Sequence, residues 1–109
     1  MVEGFWIVQF EGIQGGGGGV LFLLKGRLLG GDSGYTYEGT YEEKPPQLRA
    51  RVVVRNFLAG VPNVLGIVGD FEMQVEGELE GGIIRGSATS PMSPGAGLAL
   101  KLTKVAELP

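Results

Sequence analysis

Eight short apolar runs fill this 109-residue chain, and nearly every one is bounded by glycine, proline or an acidic turn. Runs of this length and spacing read as strands of an all-β fold, either barrel or sandwich. The 21 glycines point the same way. Each glycine inside a helix costs about 1 kcal/mol relative to alanine. Tight hairpins and coiled strands tolerate glycine far better. The length predicts a single domain over 1–109.

The chain has no histidine and no cysteine. That removes the usual nucleophile–base pairs, thiol chemistry and any disulfide framework, and it fits a reducing compartment. Twelve acidic residues against nine basic ones give a net charge of −3, the wrong sign for a nucleic-acid footprint. Met1-Val2-Glu3-Gly4 carries no basic leader, and the longest apolar run, Val20 to Leu24, is far too short to span a bilayer. The expectation is a soluble cytoplasmic protein that contacts neither nucleic acid nor membrane.

Strands are predicted over Gly4–Glu11, Val20–Lys25, Arg27–Leu29, Tyr35–Tyr41, Leu48–Arg55, Phe71–Leu79, Ile83–Thr89 and Leu98–Val105. Gly12–Gly19 reads as a glycine-rich hairpin loop, and Lys25-Gly26 as a two-residue turn. Gly30-Gly31-Asp32 reads as a bulge or corner, and Glu42–Pro46 as a turn. Residues 56–70 form the longest connection, with one helical turn near Pro62–Leu65, and the tail Ala106–Pro109 is expected to fray.

Alternation assigns the faces. The inward set is Trp6, Val8, Phe10, Val20, Phe22, Leu24, Tyr35, Tyr37, Val52, Val54, Phe71, Met73, Val75, Leu98 and Leu100. Phe5, Ile7, Leu21 and Leu23 are left pointing outward, a patch large enough to predict a homodimer interface. Strands five and six carry complementary charge. Pairing residues whose numbers sum to 127 sets Arg55 against Glu72, Arg51 against Glu76 and Arg49 against Glu78.

Several motifs resolve to nothing catalytic. Gly31-Asp32-Ser33-Gly34 spells the serine-protease GDSG, but Ser33 has no histidine to activate it and the segment reads as a turn. Gly15–Gly19 lacks the following helix and Lys-Ser/Thr of a phosphate loop. Glu42-Glu43 would point to opposite faces if extended, and Glu76 and Glu78 have arginine partners. Neither a metal site nor a cofactor motif is legible.

Gly4-Phe5-Trp6 matches the G-x-W that opens a lipocalin's first strand, where the tryptophan plugs the barrel floor. A wider match covers nearly the whole chain: an aromatic first strand, a glycine-rich turn, the hairpin around Lys25-Gly26 and Gly30-Gly31-Asp32. Tyr37-Glu38-Gly39, Val64-Leu65-Gly66, Asp70-Phe71, Gly77 and Pro94-Gly95 come after them. This order resembles the GrlR family, small negative regulators of type III secretion genes in Gram-negative bacteria. The resemblance implies an eight-stranded antiparallel up-and-down barrel, lipocalin-like, that dimerises, lacks enzymatic activity, and sequesters a transcriptional activator in the cytoplasm. It also implies an acidic partner-binding turn after strand four, of which only Glu42 and Glu43 are present here.

The alternative function is carriage of a small apolar ligand inside the barrel, with Trp6, Val8, Phe22, Tyr35, Tyr37, Val52, Phe71 and Met73 as the pocket. A solidly filled interior is the competing outcome.

Overall fold

The computed structural model describes residues 2–13, 15–63, 65–67 and 69–109. Eight strands follow one another: β1 Gly4–Gly12, β2 Gly15–Leu24, β3 Arg27–Gly31, β4 Tyr35–Lys44, β5 Gln47–Asn56, β6 Phe71–Glu80, β7 Ile83–Thr89 and β8 Gly97–Ala106. Each pairs antiparallel with the next, and β8 returns to β1, closing an up-and-down barrel of lipocalin-like form. No helix of the described residues is long and apolar enough to cross a membrane.

The hairpin turns form where local chemistry demands them. Lys25 and Gly26 both hold positive φ, 49° and 79°. That is the primed geometry that matches strand twist in a two-residue hairpin. Pro45–Pro46 joins β4 to β5, where neither proline is needed as a ladder donor. Close packing between strands explains Gly39, where a side-chain carbon would lie 2.0 Å from the Arg51 carbonyl oxygen.

One end of the barrel is plugged. Val2, Trp6, Leu23 and Ile84 are the largest fully buried side chains. They sit at the end that carries the turns Lys25–Gly26, Pro45–Pro46 and Gly81–Gly82. Trp6 Nε1 donates to the Val2 carbonyl at 2.9 Å, which lets the indole go under without an orphaned N–H. Tyr35, Val52, Val54, Phe71, Met73 and Leu102 line the interior further up.

Strand two corrects the sequence reading twice. The glycine run is not a loop: Gly15–Gly19 belongs to β2 and pairs in register with β1, from Gly12↔Gly15 to Val8↔Gly19. The inward face of β2 is also the opposite one. Leu21 and Leu23 are core residues, and Val20, Phe22 and Leu24 face out. Val-Leu-Phe-Leu-Leu is apolar at every position, so alternation cannot orient it. The register Trp6↔Leu21 and Gly4↔Leu23 does, placing the leucines on the tryptophan's side.

The β5–β6 register differs by two residues from the expected one. Arg49 faces Glu76, Arg51 faces Gln74 and Val53 faces Glu72, so paired numbers sum to 125. A two-residue shift keeps every side chain on its face, so the apolar pattern could not choose between them. The junction chooses: Val54 pairs Phe71, and the Asn56 amide donates to Asp70 Oδ1 at 3.0 Å. Glu42–Lys44 continues β4 rather than turning. The described residues of 57–70 hold no helix, and Val64 of the expected helical turn lies outside them.

Candidate functional site

Two features stand out: a cavity inside the barrel and an apolar face outside it. The cavity measures about 280 Å³ and is lined almost entirely by apolar side chains. Val8, Tyr35, Tyr37, Val52, Phe71 and Met73 line it as expected from the sequence. Trp6 and Phe22 do not. Trp6 belongs to the plug below, and Phe22 is on the outside, 45% exposed.

The open end, opposite the plug, carries the connections β1–β2, β3–β4, β5–β6 and β7–β8. Gly16, Gly17 and Gly18 present bare backbone to the cavity, and the Phe10 ring lies over Gly17. Among the described residues of 57–70, Val61, Pro62, Asn63 and Leu65 lie along the cavity at this end. This segment is held by Tyr35, whose hydroxyl donates to the Val61 carbonyl at 2.7 Å, and by the Phe57 amide on the Gly34 carbonyl at 2.9 Å. Asn63 folds the segment on itself: its Oδ1 accepts from the amides of Leu65 and Ile67, both at 3.0 Å.

The polar chemistry of the cavity is concentrated here. Asp32 Oδ1 accepts from the Gly34 and Tyr35 amides at 2.9 Å each, an Asx turn that fixes the β3–β4 connection. The Tyr37 hydroxyl donates to Asp32 Oδ2. Burial, and then the hydrogen bond and charge of Asp32, push the Tyr37 phenol far above its ordinary range, so it stays a donor. Gly19 makes this contact possible, because a side-chain carbon there would lie 2.8 Å from the Tyr37 oxygen. Sequence reasoning saw Asp32 only as a turn residue and missed Asn63.

The outer surface is divided. Across β1–β3, Phe5, Ile7, Val20, Phe22, Leu24 and Leu29 share one apolar face, continuous through the pairs Phe5↔Phe22, Ile7↔Val20 and Phe22↔Leu29. Five of these six are more than 40% exposed. Phe5 and Ile7 therefore point outward as predicted, whereas Leu21 and Leu23, at 4% and 0% exposure, are unavailable to an outer interface. Across β3–β6 the surface is instead charged, with Glu38 reaching both Arg27 at 3.4 Å and Arg55 at 2.9 Å, and Arg51 3.7 Å from Glu72.

Glu42 and Glu43 take opposite sides of β4. Glu42 is exposed and lies across from Arg49, while Glu43 is half-buried and lies across from Leu48. They do not form one acidic surface. Among the described residues no group of three histidine, cysteine or carboxylate side chains comes together to hold a metal. The chain matches no protein-family model and no curated protein.

Proposed function

We propose that this chain is a non-enzymatic regulatory binding protein that works as a homodimer through contact with another protein. The observation that carries this reading is the exposed apolar face of Phe5, Ile7, Val20, Phe22, Leu24 and Leu29. A contiguous patch of this kind on a small soluble domain marks an interaction surface. A twofold pair would bury the same strands on both copies. The charged face across β3–β6 stays free in such a pair.

The resemblance to GrlR-type negative regulators supplies the class of partner: a transcriptional activator, held in the cytoplasm without direct contact to DNA. Glu42 is the residue of the acidic pair best placed to meet a basic partner surface, since it is exposed. One accessible acid gives modest steering and modest affinity. The experiment is to purify the protein, measure its mass in solution, and titrate it with activators encoded in its own genome. Glu42→Lys and Glu43→Lys are run separately. Loss of affinity in Glu42→Lys alone supports the strand-end contact. A monomer that binds no activator overturns the reading.

A second reading has its own observation, the apolar cavity of about 280 Å³. An engineered apolar cavity of about 150 Å³ stays dry and binds benzene. A void of nearly twice that size supports occupation by a small apolar ligand, as carriage or as a regulatory signal.

A further inference from the structure

We propose that the cavity is built for a cationic amphiphile, a protonated primary amine on an apolar body of about a dozen heavy atoms, and that it rejects carboxylic acids of the same length. The inference rests on the ligand-binding reading of the cavity and adds the chemistry of the ligand's polar end. Scaling the benzene-sized cavity to 280 Å³ gives the body size.

The head group follows from what the open end offers. Of the charged residues along the cavity, Asp32 and Glu76, the second has its carboxylate 3.8 Å from Arg49 on the outer face. No lysine or arginine lines the cavity, and none of the described ones pairs with Asp32. Asp32 therefore brings an uncompensated negative charge to an otherwise apolar space. A carboxylate ligand would meet like charge at Asp32.

The hydrogen-bond inventory narrows the choice further. The Tyr37 proton is engaged by Asp32 Oδ2, and the Tyr35 proton by the Val61 carbonyl. Asn63 Nδ2 donates to the Ile67 carbonyl and, at 3.5 Å, to the Tyr35 hydroxyl oxygen. No buried side-chain nitrogen or oxygen among the described residues lacks a partner. At Asp32 itself, lone pairs remain on Asp32 Oδ2 and on the Tyr37 oxygen, because each can accept more than one hydrogen bond. Beside Asp32, lone pairs of this kind select a donor head group. The uncompensated aspartate selects a charged donor over a neutral one.

Decylamine, 1-decanol and decanoate share one body and differ only at the head, so their titration into the purified protein, followed by calorimetry, isolates this question. The amine is expected to bind roughly tenfold to a hundredfold more tightly than the alcohol, with the acid weakest. In Asp32→Asn, which keeps an oxygen for the Gly34 and Tyr35 amides, the advantage of the amine over the alcohol should vanish. A circular dichroism melt checks that the variant is folded, and Tyr37→Phe, which removes one acceptor without touching the turn, serves as the second variant. If all three ligands bind equally, or the acid binds best, the head-group proposal falls while the cavity reading stands. If none binds, both fall.

Discussion

The rings of Phe5 and Phe22 stack on the outside of the barrel, with centroids 5.0 Å apart and planes tilted by 31°. They are directly opposed across the β1–β2 ladder, the closest side-chain relationship a sheet offers. One member, Phe22, is 45% exposed, and Leu21 beside it in sequence is 4% exposed. Adjacent residues thus report on different properties. Phe22→Glu should leave the fold intact and shift the protein from dimer to monomer, seen by light scattering with an unchanged circular dichroism spectrum. Leu21→Glu should unfold or severely destabilise the chain, by more than about 3 kcal/mol, because it buries an unpaired charge. A monomeric wild type would remove the interface.

Trp6 and Val2 make the second test. The indole is fully buried, and its N–H donates to the Val2 carbonyl at 2.9 Å. Trp6→Phe keeps an aromatic plug but leaves that carbonyl without its donor. The expected loss is about 1–3 kcal/mol for the orphaned group, plus a contribution from the void left by the smaller ring. Urea unfolding followed by far-UV circular dichroism measures it. A change under about 0.5 kcal/mol, typical of surface positions, would mean that the plug is not packed as described.

The strands were legible in the sequence because each depends on a local signal, whereas the closed barrel and the Trp6 plug came only from the lipocalin-like resemblance and Trp6 was otherwise read as pocket lining. Positive φ at Lys25–Gly26 and alternation in Leu48–Arg55 each decide one element. Orientation of β2 was not legible, because a run without polar residues has no phase. Gly15–Gly19 looked like a loop for a related reason. Glycine carries no pattern, and its place in the ladder is imposed by β1 across the hairpin. The cavity's lining was largely readable from alternation, but the role of Asp32 was not. It depends on Tyr37 reaching across Gly19, a contact created only when β2, β3 and β4 are side by side.

Arg49 and Glu76 test the corrected register. They are cross-strand neighbours 3.8 Å apart, with side chains 79% and 71% exposed. Pairs this exposed are worth little, so Arg49→Glu and Glu76→Arg should each cost under about 1 kcal/mol. The double variant, which restores opposite charge with the order reversed, should recover most of the loss. The pair Arg51 and Glu76, two residues out of register, should instead show near-additive effects in the same cycle. Coupling in the second pair and none in the first would favour the 127 register.

Tyr37 predicts a pH dependence whose sign is fixed by its environment. Its phenol is raised from 10.0 by burial first and by Asp32 second. A raised value means that the folded chain holds its proton where the unfolded chain releases it. The stabilisation is therefore complete below about pH 10, the ordinary tyrosine value, and is lost as pH climbs above it. Tyr41 is raised as well, chiefly by burial, and adds to the trend. Denaturant midpoints taken between pH 8 and pH 11.5 should fall steadily across the upper half of that range. Tyr37→Phe should start from a lower midpoint, having lost the bond to Asp32, but descend less steeply. The difference in slope belongs to Tyr37, because lysine titration is common to both proteins. Parallel curves for the two proteins would mean that the Tyr37 hydroxyl is not buried against Asp32, and would take with it the lone-pair site proposed beside Asp32.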